Sequence, residues 1–269
     1  MKKYFKNKTF LIGFIFFAFI FAVMIFGFFA LPYDPNKVNV SQKLSGFSKA
    51  HLLGTDNFGR DVLSRIMVAS RISILLGFVV MICGFLAGLV LGSVSGFYGG
   101  KIDLIIMKLL NTQMSFPGIL LALMLVAVFD NNIKITFLAL FLMSIPRFTR
   151  ITRSGFIKYK NSLFVKAAKA KGASDFRIMY FHILPNILSE IFVTGTTSFS
   201  MAILSESGLS YLGLGIQPPN ASFGRMLNDA QNYILTNPKG VIIPLIFLSV
   251  LVLGINLIGD GILEVKENE

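Results

Sequence analysis

Few residues in this sequence carry side chains that could do chemistry in apolar surroundings. One carboxylate, Glu206, lies between Ser205 and Ser207 in a long apolar run that also contains Ser198 and Ser200. Such a group could line a polar pathway through a membrane, or it could simply reach interfacial water at the outer end of a span. Ser200 and Glu206 are therefore candidate pathway residues, and both interpretations remain open.

Other chemical motifs are missing or isolated. His51 has no second His or Cys nearby, and a single His is more often structural than a metal ligand, so we predict no metal site. The sequence contains no Gly-x-x-x-x-Gly-Lys-[Ser/Thr] phosphate loop, no His-Glu-x-x-His and no Gly-x-Ser-x-Gly. We expect a chain that is not an enzyme and does not hydrolyse ATP itself.

The most informative polar stretch runs from residue 163 to residue 188. It carries four cations between two apolar runs: Lys166, Lys169, Lys171 and Arg177. Gly172 suits the left-handed backbone that ends a helix, and Ser174 suits the cap of a second helix with Asp175 in its first turn. Pro185 is expected to open the next helix. Local physics alone favours a membrane-surface loop with lysines near lipid headgroups.

Composition places these segments in a membrane protein. Apolar residues make up 54% of the 269, the mean hydropathy is +0.73, and only 14% are charged, against about 25% in soluble domains. Six runs are long enough to cross about 30 Å of hydrocarbon, so the fold class is an all-α polytopic membrane protein. The predicted spans are 10–31, 73–97, 104–129, 133–151, 187–210 and 241–259.

The basic residues predict the orientation. With the N-terminus inside, sixteen of the 25 Lys and Arg residues would lie on the cytoplasmic side, which puts both termini and the central loop in the cytoplasm. The first apolar run is longer than a signal-peptide core and has no obvious cleavage site, so we expect a retained anchor. Arg147, Arg150 and Arg153 are expected at the inner headgroups. Much of the net charge of +12 is then topological, and no nucleic-acid partner is needed.

Two local patterns predict packing. Gly84, Gly88, Gly92 and Gly96 recur at every fourth residue, which lets another span or a partner subunit approach closely. In the first outside loop, a Gly-rich turn precedes Asp61 and Arg65, which we expect to pair at i, i+4 on an interfacial helix leading into the second span.

Three stretches together resemble one family. The central loop has Ala167-Ala168, then Gly172, then Leu184-Pro185; the first outside loop has Gly-Thr-Asp-x-x-Gly-Arg-Asp at 54–61; the last outside loop is rich in Gly and Pro at 209–227. This set resembles the second, "C"-type permease of peptide and nickel ABC importers. Lys166 stands where that family usually has Glu, and Phe223 stands where Trp is usual.

The resemblance implies a type I ABC importer permease fold and a site. The ATPase-coupling residues would be those of the central loop: Lys166, Ala167, Ala168, Gly172, Ala173, Ser174, Asp175 and Phe176. The implied regions are a first span with an outside loop at 1–72, a permease core at 73–260 containing a coupling loop at 152–186, and a tail at 261–269.

The same resemblance implies partners and a function. These are a second homologous permease, two ATPase subunits that bind ATP and Mg, an extracytoplasmic substrate-binding protein, and the lipids of the plasma (inner) membrane. The function would be import of dipeptides, oligopeptides, nickel or a metal chelate. An ATP-independent channel or secondary transporter, and a structural scaffold, are the alternatives.

Overall fold

The computed structural model describes residues 3–129 and 132–267, and these are almost entirely helical. Within them, extended segments pair only at one isolated bridge between Thr55 and Asp61. Short 3-10 turns aside, the helices follow in chain order, and we number them α1 to α10. They are α1 Lys8–Phe29, α2 Val62–Tyr98, α3 Gly100–Met114, α4 Gly118–Val128, α5 Ile133–Tyr159, α6 Leu163–Ala170, α7 Asp175–Arg177, α8 Leu184–Tyr211, α9 Phe223–Ala230 and α10 Lys239–Glu267.

The prediction of a polytopic helical fold is confirmed. Within the described ranges, five helical segments are long and apolar enough to cross a membrane, and the pair α3 and α4 makes a sixth if it is one broken span. The first predicted span agrees with α1 to within two residues at both ends, and the last begins within two residues of α10, which continues eight residues beyond the predicted end at 259. The apolar character of these helices is sufficient to specify them.

The second span is longer than predicted. The outside helix that we expected to be separate is continuous with it, so α2 runs for 37 residues, about 55 Å at 1.5 Å per residue. Asp61 begins this helix by accepting a hydrogen bond from the backbone N–H of Ser64. No Pro follows within α2 to interrupt the backbone ladder, so the polar first turns extend the apolar helix without a break.

The third predicted span is broken. Helices α3 and α4 meet at an angle of 80° around Pro117. A proline disfavours a helical conformation at the residue before it. Polar side chains of α3 contact α5: Asn111 accepts a hydrogen bond from Arg150 at 2.8 Å, and Gln113 donates to the Leu142 carbonyl at 2.6 Å. These two contacts join α3 to α5.

The fourth predicted span is also too short. Helix α5 continues to Tyr159, eight residues beyond the predicted end. Asp103 of α3 supports this extension with a bidentate ion pair to Arg153, at 2.5 and 2.6 Å. Arg147 is therefore near the middle of α5, and its predicted place at the inner headgroups stays a prediction.

The regular glycines of α2 lie against α5. A methyl group at Gly92 would come within 2.6 Å of the Thr149 carbonyl, and one at Gly96 within 2.7 Å of the Arg153 carbonyl. Gly84 and Gly88 face α5 in the same way, at Ser144 and Phe148. The two backbones therefore approach as closely as a small-residue stripe permits.

A second close contact joins the two ends of the chain. Gly13 of α1 and Gly254 of α10 face each other, and a methyl group on Gly13 would lie 2.7 Å from the Gly254 carbonyl. Helix α8 packs between this pair and the α2–α5 pair. The bundle thus holds α2, α5 and α8 together and places the segment between α5 and α8 at one end.

Candidate functional site

The central segment folds as its local sequence predicts. Helix α6 ends in a Schellman motif, in which the Ala173 N–H donates to the Ala168 carbonyl and the Gly172 N–H donates to the Lys169 carbonyl. Gly172 has φ +78°, in the left-handed region. Ser174 then caps α7 by accepting from the Arg177 N–H at 3.4 Å. A helix, a glycine turn and a second helix therefore follow one another directly.

The second helix does not stop at Pro185. Residues 178–183 form a π-helical turn that joins α7 to α8, and Pro185 lies at the start of α8. Proline lacks the N–H that an uninterrupted helix would use, and the wider turn before it takes up the mismatch. Residues 175–211 are consequently one helical unit, so the central segment is continuous with a membrane span.

One face of the central segment is anchored in the bundle. Val165 is 2% exposed and Ala168 is 8% exposed, and both belong to a buried cluster that includes Phe148 and Phe156 of α5. From the second helix, Ile178, Met179 and Ile183 join the same cluster. Ala168 is thus part of the internal packing and is not available to a partner.

The opposite face is exposed and mixed in character. We call it the docking face and define it by its exposed residues. These are Leu163, Phe164, Lys166, Ala167, Lys169, Ala170, Lys171, Gly172, Ser174, Phe176 and Arg177. Leu163 is 84% exposed and Phe176 is 65% exposed, which is unusual for large apolar side chains outside a lipid-facing surface. Of the other predicted coupling residues, Ala173 and Asp175 are half-buried.

At the opposite end of the bundle, charged side chains join the first outside loop to α9. Arg60 donates to Asp56 at 2.6 Å and to Asp229 at 2.8 Å. Arg65, only 1% exposed, lies 3.6 Å from Asp56 and 3.7 Å from Asp229. Arg225 reaches Asp229 at 3.0 Å. We call these five residues the outer ion cluster.

The predicted pair of Asp61 and Arg65 is wrong. Asp61 is the cap of α2, accepting from Ser64 N and Oγ, both at 2.8 Å, and it faces His51 Nδ1 at 2.9 Å. A carboxylate in the cap geometry points back over the first turn, so it is not free to meet a side chain one turn later. Arg65 turns instead to the outer ion cluster and to the Pro35 carbonyl at 3.2 Å.

Comparisons with known proteins decide the family. Residues 88–267 match the family described as "Binding-protein-dependent transport system inner membrane component". Residues 1–48 match the family described as "N-terminal TM domain of oligopeptide transport permease C". The chain belongs to the binding-protein-dependent transport permeases. It is a non-catalytic, multi-pass component of the inner membrane, and the family implies work with ATPase subunits and a substrate-binding protein.

Related sequences agree with this assignment. The permease is 37% identical over 257 residues to the "Dipeptide transport system permease protein DppC" of Alkalihalophilus pseudofirmus, covering 96% of this chain and 84% of the relative. It is 36% identical over 242 residues to the "Glutathione transport system permease protein GsiD" of Pectobacterium atrosepticum, covering 90% and 80%. The resemblance to the peptide and nickel family is confirmed.

A solved structure agrees on the fold. The structure described as "Inward facing conformations of the MetNI methionine ABC transporter: CY5 native crystal form" superposes with a TM-score of 0.59 at 18% identity, covering 73% of this chain and 93% of that chain. At this identity the match shows the fold alone. The predicted type I ABC importer fold is confirmed for the permease.

The permease encloses Glu206 completely. Its side chain is 0% exposed and accepts hydrogen bonds from Ser210 at 2.6 Å and Ser207 at 3.5 Å, and the Ser222 hydroxyl also interacts with it. The Ser210 Oγ in turn accepts from the Ile216 N–H at 2.8 Å. The interpretation that Glu206 reaches interfacial water is therefore wrong. The carboxylate ties the end of α8 to the last outside loop.

Ser200 is also held within the permease. Its hydroxyl donates to Asn256 Oδ1 at 2.9 Å and so joins α8 to α10, and the residue is 2% exposed. A role of Ser200 or Glu206 in the substrate pathway stays a prediction. The contacts that the structure gives them are within the single chain.

His51 connects three residues of the segment between α1 and α2. Its Nδ1 faces Asp61 at 2.9 Å, its Nε2 faces Gln42 Oε1 at 3.1 Å, and its ring lies 4.6 Å from that of Tyr33. Both ring nitrogens are thus occupied by neighbouring side chains. The structural interpretation of His51 accounts for every contact it makes.

Sequence reasoning missed the α9 half of the outer ion cluster. Arg225 and Asp229 are four residues apart on α9, and this i, i+4 spacing is the signal that could have suggested a charged face. Their partners on the first outside loop are more than 150 positions earlier in the chain. Local spacing carries no information about such a contact.

Proposed function

We propose that this permease is the second, "C"-type subunit of an ATP-driven ABC importer for dipeptides or oligopeptides. Both termini and the docking face lie in the cytoplasm in this proposal, and the outer ion cluster faces the extracytoplasmic side. The proposed partners are a homologous permease, two ATPase subunits that bind ATP and Mg, and a substrate-binding protein. The proposed regions are 1–72, the core 73–260 and the tail 261–269.

The docking face is the observation that carries this proposal. It presents Leu163 and Phe176 as large apolar side chains beside Lys166 and Lys169, while the back of the same segment is fixed to α5. Exposed apolar residues surrounded by charges mark protein interfaces. The ATPase subunit required by the family is the partner that fits a surface between two membrane helices.

Peptides are the proposed substrates because the relatives are so named. The curated relatives described above carry "dipeptide" and "glutathione" in their names. Nickel and metal chelates, the other branch implied by the sequence resemblance, have no such support here.

Replacement of one docking-face residue tests the proposal. Phe176→Ala removes an exposed ring from the docking face. Phe192→Ala, in the membrane-crossing part of α8, is the matched control, because both rings are 65% exposed. A buried Phe contributes area worth several kcal/mol, about 25 cal/mol per Å², so we expect at least a tenfold weaker affinity for the ATPase subunits from Phe176→Ala alone. Affinity is measured on complexes reconstituted in nanodiscs.

The same assay separates the alternatives. Equal ATPase affinity for Phe176→Ala, Phe192→Ala and wild type would refute the docking role. Substrate uptake by the purified permease without ATPase subunits would favour an ATP-independent channel or secondary transporter. Normal uptake in cells that lack the permease would favour a scaffold.

A further inference from the structure

A groove between α2, α5 and α8 contains a charged residue, Arg147, whose role the fold does not explain. Its lining includes Val80 of α2, Ser144 and Arg147 of α5, and Ser198 and Ser205 of α8, around an empty volume of about 470 Å³. Val80 is 18 residues from each end of α2, and Ser198 is 14 residues from the start of α8. The groove therefore lies midway along α2 and α8.

Arg147 is the charged residue of this groove. The two arginines that follow it on α5 have partners, since Arg150 bonds Asn111 and Arg153 pairs with Asp103. Arg147 makes no hydrogen bond or ion pair with any residue of the described ranges, and it is exposed on the single chain. A cation on a membrane span is expensive unless it faces a protein interior or a water-filled cavity and finds an anionic partner.

The hydroxyls beside Arg147 make the groove suitable for a polar solute. Ser144 and Ser198 are buried on its walls, at 7% and 4% exposure, and Ser205 is half-buried. Guanidinium groups bind carboxylates with two parallel hydrogen bonds, and hydroxyls can donate to or accept from a peptide amide.

We propose that this groove is the permease's wall of the translocation pathway and that Arg147 binds the C-terminal carboxylate of a passing peptide. This proposal rests on the proposed importer function and adds that the pathway recognises the carboxylate of the substrate. A free divalent cation is disfavoured, because the groove presents a positive charge and no carboxylate, His or Cys among its lining residues.

The test uses the complete importer in proteoliposomes, with alanyl-alanine and its C-terminal amide as probes. We expect Arg147→Gln to lower uptake of the free dipeptide about 10- to 100-fold, the value of a hydrogen bond to a charged group, and to leave uptake of the amide within about twofold. Arg147→Lys should retain part of the dipeptide uptake. Arg150→Gln, the same change at a residue paired with Asn111, is the matched control.

The outcomes distinguish the proposed role of Arg147 from the proposed importer function. Equal losses for dipeptide and amide, or no loss, would overturn the role of Arg147 and leave the importer function standing. Failure of the wild-type complex to transport either probe with ATP would overturn both. Phe176→Ala should lower uptake of both probes together, because it acts on the ATPase side.

A second measurement does not depend on transport of the amide. Ser205→Cys in a Cys83→Ala background places one thiol in the groove, since Cys83 is the single native cysteine. We expect N-ethylmaleimide to label this thiol in the complete importer, and to label it more slowly when alanyl-alanine is being transported. A thiol that stays unlabelled in every state would show a groove sealed by lipid or by the second permease, and would overturn the proposal.

Discussion

Removal of one carboxylate from the outer ion cluster should loosen the whole outer end of the permease. Asp229 is shared by Arg60 at 2.8 Å, Arg225 at 3.0 Å and Arg65 at 3.7 Å, and its side chain is 7% exposed. In Asp229→Asn the shape is kept, but Arg60 and Arg65 retain only Asp56 as a carboxylate partner among the described residues, and Arg225 retains none. Breaking a buried ion pair by removing one partner costs about 3 to 5 kcal/mol, because the remaining charge stays desolvated.

Hydrogen–deuterium exchange measures the loss of local stability near the outer ion cluster. At about 3 kcal/mol, amides of α9 and of residues 56–61 should exchange about 100-fold faster, since 1.36 kcal/mol is a factor of ten. Asp34→Asn is the control, because Asp34 is an exposed carboxylate of the same loop region that only accepts from the Asn36 N–H. Its effect should stay within about 0.5 kcal/mol.

A double variant tests the charge explanation directly. Arg60→Met combined with Asp229→Asn removes one uncompensated cation and should recover part of the lost protection, because a hydrophobic replacement for a buried charge is often tolerated. Exchange of α9 amides in Asp229→Asn within twofold of wild type would refute the reasoning. So would a double variant that exchanges as fast as the two single effects combined.

Two further changes test helix packing and helix starts. Gly92→Ala should destabilise the purified permease by about 1 to 3 kcal/mol, because its methyl group would lie 2.6 Å from the Thr149 carbonyl, whereas Gly208→Ala should be neutral because its nearest neighbour would be a methyl group at 3.6 Å. Asp61→Ala should destabilise more than Ser174→Ala, since Asp61 caps α2 and also holds His51, while an exposed cap contributes about 1 kcal/mol. Thermal unfolding in detergent checks both comparisons, and equal midpoints within either pair would contradict the assignment.

Local rules were sufficient where the determining contacts are close in the chain. Gly172 and Ser174 were predicted to end and begin helices because a left-handed turn and a cap depend on residues within one turn. Both features are present in the structure. The spacing of the α2 glycines likewise predicted a close helix contact, although it could not say which helix would make it.

The misses have a common physical reason. Arg65 was paired with its nearest acidic neighbour along the helix, but its carboxylates come from the loop before it and from α9. The fourth span is predicted to end at residue 151 because hydropathy falls there, whereas α5 continues to Tyr159 as a helix supported by the ion pair of Asp103 with Arg153. In both cases a tertiary contact compensates a charge, on Arg65 or on Arg153, that the sequence alone shows as uncompensated.

Helix α5 is the element that the docking face and the groove have in common. Val165 and Ala168 of the central segment pack in one cluster with Phe156 and Phe148, and Phe148 is the residue after Arg147. The glycines of α2 bring the backbones of α2 and α5 into close contact along this helix pair. A single helix, α5, therefore connects the proposed ATPase contact with the proposed carboxylate site.

This connection has a thermodynamic consequence. Two sites that bias the same element must influence each other equally, because a coupling free energy is reciprocal. If ATPase docking changes the affinity of the groove for a peptide by some factor, peptide in the groove must change ATPase affinity by the same factor. Arg147→Gln should therefore abolish the effect of alanyl-alanine on ATPase affinity while leaving that affinity unchanged in the absence of peptide. A variant that lost ATPase affinity without peptide would place Arg147 in the packing of α5 and not in the pathway.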